Sequence, residues 1–307
     1  MPSNPRIRAE ADQIYRDTLD TFFPLFNLPS FPPDNVPPYR EWWRNEISVP
    51  PKAVRISGQA IISIEGDPQA GKTTIRDSLR GIEFAGWEIE TWDEPITPLP
   101  AKEIVQAFSP LYGPVMLEKD WISSIFLNLW KEDWFQSNID YWLQTKPPFH
   151  GGRLAINYRG PLDNMIFYYA LASHKVDSKF TIPEWFRPEL TKLSFIAPLV
   201  DFFNGLSWVD ALIMTGLNQG EAQNRRRLEG KTYPGWVTDS TFYLDYTAWY
   251  GYFIENVWPK LHEIYGTGLL VLNGEDTREN NLQKVVKFIK DVVGVKKSKW
   301  GRSTVTS

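Results

Sequence analysis

The sequence predicts an α/β protein with a five-stranded parallel sheet covered by helices on both faces. Three observations carry this. Short apolar runs recur at residues 60–65, 87–92, 153–157, 210–215 and 268–273. Stretches of helical character separate them, and strands that alternate with helices imply parallel pairing buried on both sides. The first run leads straight through a glycine-rich loop into a helix.

The elements follow in order. Residues 8–23 have a loosely helical pattern, with Ile14, Leu19, Phe22 and Phe23 on one side. Residues 24–51 hold Pro32-Pro33, Pro37-Pro38 and Pro50-Pro51, which disfavour long helices and central strands. The same stretch carries Phe26, Phe31, Trp42 and Trp43, which a free linker would waste. An arm that packs on the main domain or on a partner subunit is expected. The first strand, 60–65, precedes the loop and its helix, and 87–92 is the second strand. A long helix is expected over 123–143. The third strand, 153–157, leads into a helix that runs to about 172. The fourth, 210–215, is followed by helix from 222 onward, and the fifth is 268–273. The closing helix, 277–293, places Leu282, Val285, Val286, Ile289 and Val293 on one face and ends at Gly294, a good C-terminal cap. The domain plan is therefore an arm at 1–57, a main domain at 58–295 and a polar tail at 296–307.

Composition narrows the function. The chain has 307 residues, 42% of them hydrophobic and 23% charged, which is ordinary for a soluble globular protein. An aromatic content of 15% is far too rich for disorder throughout. The absence of cysteine excludes a disulfide scaffold, a thiolate zinc site and a thiol nucleophile. The three histidines, His150, His174 and His262, lie far apart and read as surface or structural residues. A net charge of -4 argues against a globally basic nucleic-acid binder. There is no apolar run long enough to span a membrane and no apolar signal core at the N-terminus, so a cytoplasmic protein is expected.

The most specific motif is Gly66-Asp67-Pro68-Gln69-Ala70-Gly71-Lys72-Thr73, which fits G-x-x-x-x-G-K-[ST] in full, with Thr74 after it. Glycines let consecutive backbone N–H groups face a phosphate, and the following helix adds its positive N-terminal end. Lys72 neutralises the β- and γ-phosphates, and the Thr73 hydroxyl can ligate Mg²⁺. The loop says nucleotide, and it serves ATPases, GTPases and kinases alike. Asp93-Glu94-Pro95 stands at the end of the second strand, where ligands of open α/β sheets sit. A carboxylate there can accept a proton from a substrate hydroxyl; alone, it also reads as a solvated turn acid.

With these pieces in place the sequence resembles the deoxynucleoside kinases, including the herpesvirus-type thymidine kinases, within the wider thymidylate kinase group. The resemblance covers roughly 59–293. It rests on Ile62 to Thr74, Glu94-Pro95, Tyr158-Arg159-Gly160, the Asp210 strand with its arginine-rich helix and Gly230, and Leu272-Asn273-Gly274. It implies the three-layer fold of phosphate-loop kinases, with ATP and Mg²⁺ as cofactors. Glu94 would be the general base for a nucleoside 5′-hydroxyl and would share the metal with Thr73. Arg159 would contact the acceptor oxygen or the transferred phosphate, and Arg225 would be the lid arginine, with Lys231 a further cation. Arg226 and Arg227 would be solvent or salt-bridge residues. Asn128, rivalled by Gln136, would read the base edge, and Trp121, Phe126, Trp130 and Trp134 offer stacking surfaces. A homodimer would be in keeping with the family.

Two departures stand out. Tyr158 occupies the position where the family usually has an acid, so Thr73, water and Glu94 carry the metal, or Asp163 compensates, or activity is weakened. Glu229 stands where another arginine is common. Four readings remain open: a nucleoside 5′-kinase, a thymidylate-type monophosphate kinase, a kinase for an unusual hydroxyl acceptor, and a nucleotide-binding module without transferase activity. Asp93, where thymidylate kinases commonly have arginine, counts against the second.

Overall fold

The computed structural model describes residues 36–52, 54, 58–84, 86–92, 135, 137–139, 141–142, 152–173, 206–229 and 240–294. Six strands form one sheet: β1 Ser48–Val49, β2 Gln59–Gly66, β3 Trp87–Trp92, β4 Gly152–Tyr158, β5 Ala211–Gly216 and β6 Gly268–Asn273. Their order is β1-β6-β5-β2-β4-β3. The five predicted strands are all present and pair in parallel. The sixth, β1, was not expected. It comes from the proline-rich segment and pairs antiparallel with β6, Ser48 opposite Leu270. Pro50 and Pro51 follow it, so the strand stops at two residues on an outer edge, the one place in a sheet that tolerates a missing donor.

Strand residues alternate between two cores, as the period of two requires. Ala60, Ile62, Ile64, Leu154, Ile156, Ala211, Ile213, Leu270 and Leu272 face one side. There they meet Ile75 and Leu79 of α1 (Lys72–Leu79) and the helix α6 (Arg278–Gly294). Ile61, Ala155, Leu212, Met214, Leu269 and Val271 face the other side. That side is covered by α2 (Pro161–Ser173), α4 (Ser240–Tyr252) and α5 (Trp258–Tyr265). A further helix, α3 (Gln219–Glu229), follows β5. The expected three layers are therefore present. At α6 the buried face is set by Val285, Phe288, Ile289 and Val292, with Leu282, Val286 and Val293 on its flanks.

Trp42 and Trp43 of the arm are built into the second core. Trp42 and Trp43 sit on a short 3₁₀ turn and are buried against Tyr250 and Gly216 respectively. Between α4 and α5 the helix widens to a π turn, Phe253–Val257, just ahead of Pro259. Proline cannot donate into the helical ladder, and such a turn absorbs the interruption. α5 ends at left-handed Gly266 (φ 72), whose N–H reaches the His262 carbonyl. His262 itself donates from Nδ1 to the Thr267 carbonyl at 3.0 Å, which is the structural role expected of it. Asp210, at the amino end of β5, accepts the Ile61 N–H at 2.8 Å and is a clasp within the sheet. Among the described residues no helix is long and apolar enough to cross a membrane.

Candidate nucleotide-binding site

Strand β2 has β4 on one side and β5 on the other; the chain leaves β2 past β4 to β3, and from β4 it returns past β2 to β5, so the strand order reverses beside β2. A crevice opens at the carboxyl end of such a strand, where ligands bind in open α/β sheets. The loop 66–73 lies there. Gly66 turns with φ +119, and a Cβ on it would stand 2.1 Å from the Thr215 carbonyl oxygen. The close approach lets Asp67 N–H bond that oxygen at 2.8 Å. Gln69 and Gly71 are also left-handed (φ 69 and 92), which curls the backbone into a concave turn ahead of α1. Lys72 is buried and curls back, its ammonium donating to the Gly66 carbonyl and, at 3.0 Å, to the Asp67 carbonyl. A concave run of N–H groups at a helix N-terminus, closed by a lysine, is an anion cradle.

Two buried acids anchor the loop: Glu65, which the sequence reading did not assign, and Asp67, which it counted only as part of the phosphate loop. Glu65 accepts from the Ser63 hydroxyl, the Gly160 N–H and, at 3.1 Å, the Asp163 N–H. Burial and the nearby Asp163 charge push its carboxyl well above the usual range. Asp67 accepts from Leu217 N–H at 3.1 Å and from the Thr247 hydroxyl at 2.9 Å. Burial pushes it up to about 7, against the pull of these donors and of Lys72. The signal for both was an acid inside or directly after a buried strand, but apart from Ser63 their partners are about 95 to 180 residues away.

Arg159 has left-handed backbone (φ 57) directly after β4, and its Nε lies 4.0 Å from Asp163. Gly160 is required beside it, since a Cβ there would meet the Ser63, Asn157 and Glu65 side chains at 2.3 to 2.6 Å. Asp163 accepts from the Gly66 N–H at 3.2 Å and from the Tyr250 hydroxyl, so it braces the loop from below. Tyr158 places its hydroxyl 2.8 Å from Thr73 Oγ1. Two guanidinium groups lie over its ring, Arg76 at 4.9 Å and Arg159 at 5.8 Å from the centroid.

On the other flank α3 brings Arg225 onto the loop. Its guanidinium donates to the Gln69 carbonyl at 3.2 Å, the Gly274 carbonyl at 2.8 Å and Glu221 at 2.8 Å. Arg227 is exposed and bonds Asn224, as expected. Arg226 is not a solvent residue: it is buried with its guanidinium 5.3 Å from the Tyr243 ring. The helical turn sends Arg226 inward because Arg225 and Arg227 claim the directions toward the loop and the solvent. Glu94, Asn128, Gln136, Trp121, Phe126, Trp130, Trp134 and Lys231 lie outside the described residues.

The parallel order, the loop at the switch point and its lysine define the class: a three-layer phosphate-loop α/β fold. No family model matches the sequence. No curated protein matches it. Among solved structures it is similar to deoxyadenosine kinase from M. mycoides with bound dATP, at 15% identity, over 75% of this chain and 98% of that one, TM-score 0.47. It is also similar to thymidylate kinase from Candida albicans, at 12% identity, over 76% and 91%, TM-score 0.48. A third is the M. mycoides deoxyadenosine kinase with products dCMP and a flexible dCDP, at 14% identity, over 75% and 98%, TM-score 0.44.

Proposed function

We propose that the protein is an ATP-dependent phosphotransferase that moves the γ-phosphoryl group to the 5′-hydroxyl of a nucleoside or deoxynucleoside. The observation that carries the reading is the anion cradle at the switch point with cations on both flanks. Lys72 lies in it, Arg225 stands on the β5–β6 side and Arg159 on the β4 side. In-line transfer needs charge neutralised along one axis, with positioning supplying most of the catalysis. The acceptor oxygen bonds to the γ-phosphorus as the bond to the β-bridging oxygen breaks. The hydroxyl proton passes to the Glu94 carboxylate. Lys72, Arg159 and Arg225 offset the charge that spreads over the transferring group.

The residues present fit Mg²⁺, which keeps several waters and takes few protein ligands beside substrate phosphates. Thr73 would hold it from the loop, with Glu94 as a second ligand, and the ion would screen the β- and γ-oxygens. Tyr158 favours a second reading. Its phenol, a poor hard-metal ligand, holds the Thr73 hydroxyl, in keeping with a module that binds nucleotide without transferring phosphate.

The test is a transfer screen with Mg·ATP against nucleosides, deoxynucleosides and their monophosphates. A nucleoside monophosphate product supports the reading, and Glu94→Gln should then abolish transfer while ATP still binds. Diphosphate products alone move the protein to the monophosphate kinases. ATP binding with no transfer to any acceptor leaves the binding module.

A further inference from the structure

The arm crosses the carboxyl ends of β6 and β5, beside the phosphate loop. The loops that flank the cradle on this side are tied to it. Leu217 N–H bonds Asp67, Gly274 N–H bonds the Gly216 carbonyl at 2.8 Å, and Arg225 spans Gln69 and Gly274. The arm is pinned to these same loops. Glu41 accepts from Asn218 at 3.2 Å, and Arg44 pairs with Glu41 and, at 3.5 Å, with Glu275. Trp43 fills the space over Gly216, where a Cβ would meet its ring at 2.6 Å. Trp42 Nε1 donates to the Thr247 carbonyl at 3.1 Å, and Thr247 in turn bonds Asp67 of the loop.

Among the described arm residues one aromatic is left facing outward. Tyr39 is 38% exposed and stands edge-on against Trp43 at 6.4 Å. Trp43, which it touches, lies on Gly216 at the carboxyl end of β5, so Tyr39 stands on the β5 side of the phosphate loop. Burial, with Glu41 and Asp67, pushes its phenol up to about 12, and it stays neutral.

The direction of transfer completes the argument, which rests on the phosphoryl-transfer reading above. Arg159, which that reading sets at the acceptor, follows β4, so the acceptor belongs to the β4–β3 side. An in-line reaction places the leaving group opposite the attacking oxygen. The donor nucleoside therefore extends toward β5 and β6, where the arm stands. We propose that arm residues 39–44 form the wall that receives the aromatic base of the donor nucleotide, with Tyr39 as its stacking partner and Glu41 and Arg44 holding the wall in place.

The test compares two probes by calorimetry on the full chain, ATP and inorganic tripolyphosphate, each with Mg²⁺. Tripolyphosphate carries the phosphates without the base. Tyr39→Ala should weaken ATP between about fivefold and a hundredfold, the range of one base–aromatic stack, and leave tripolyphosphate within about twofold. Tyr39→Phe should restore ATP affinity. Thermal unfolding of each variant separates loss of contact from loss of fold, and Arg44→Ala, at an exposed position, should weaken ATP in the same selective way. Unchanged ATP binding in Tyr39→Ala overturns the wall while leaving the transferase reading intact. Equal weakening of both probes also overturns it, because the arm would then act through the phosphate loop. A wild-type chain that binds neither probe overturns the phosphoryl-transfer reading itself, and the wall with it.

Discussion

At Gly66 the chain must turn away from β2 while lying against β5, and no side chain fits that path. A Cβ would stand 2.1 Å from a backbone oxygen that has no flexible end to yield, at a φ of +119. Gly66→Ala should cost more than about 3 kcal/mol or prevent folding, read by denaturant unfolding. Asp67, the next residue, links the site to pH. Its carboxyl is pushed up by burial from 3.8 to about 7. Below pH 3.8 the folded and unfolded chains both hold the proton. Between 3.8 and about 7 the unfolded chain releases it and the folded chain keeps it, so stability falls as pH rises across that window and levels off above it. The loss is up to about 4 kcal/mol. Asp67→Asn keeps the Leu217 contact and can donate to Thr247, so its stability should lack this slope; equal slopes in variant and wild type would sink the assignment. The loop glycines and Lys72 were legible because their chemistry lies within eight consecutive residues. Glu65 and Asp163 were not assigned their bracing role, because it exists only once α2 brings Gly160 and Asp163 under β2.

Elements were legible where their period showed. The five parallel strands stood out as apolar runs, and α6 as a helix with a mixed surface, although its buried face is centred nearer Phe288 than the reading placed it. α4 was missed. Phe242, Tyr243, Tyr246, Trp249 and Tyr250 are buried on one side, but Leu244 and Tyr252 are apolar on the other, so no polar face marks the helical period. The arm was half legible: its aromatics forecast packing, but β1 depends on an edge of β6 that local sequence does not announce. Its weight in the fold can be measured. Trp43 is fully buried between Trp42 and Gly216. Trp43→Ala should destabilise by about 3–5 kcal/mol, checked by urea unfolding. A cost below about 1 kcal/mol would mean the arm is applied to the surface and not built into the core.

For the molecule as a whole, the site is the meeting point of parts that otherwise belong to separate layers. α1 belongs to one core and α4 to the other, and the phosphate loop touches both, through Lys72 at the start of α1 and through Asp67 and Thr247 on α4. Arg225 of α3 and Gly274 after β6 close the same ring. A ligand in the cradle would bond to several of these at once, and only in the folded chain. Binding of that kind stabilises by mass action, about 2.7 kcal/mol at a hundred times the dissociation constant. For a chain of this size that corresponds to a rise of roughly 5 °C in the unfolding midpoint. ATP with Mg²⁺ should give this rise, tripolyphosphate a part of it, and adenosine without phosphates little. Lys72→Ala should lose most of the response to both phosphate probes, because the ammonium that now bonds the Gly66 and Asp67 carbonyls is the charge that would turn to the phosphates. An unchanged midpoint with ATP across a concentration series, or a full response in Lys72→Ala, would show that the cradle is a structural turn and not a nucleotide site.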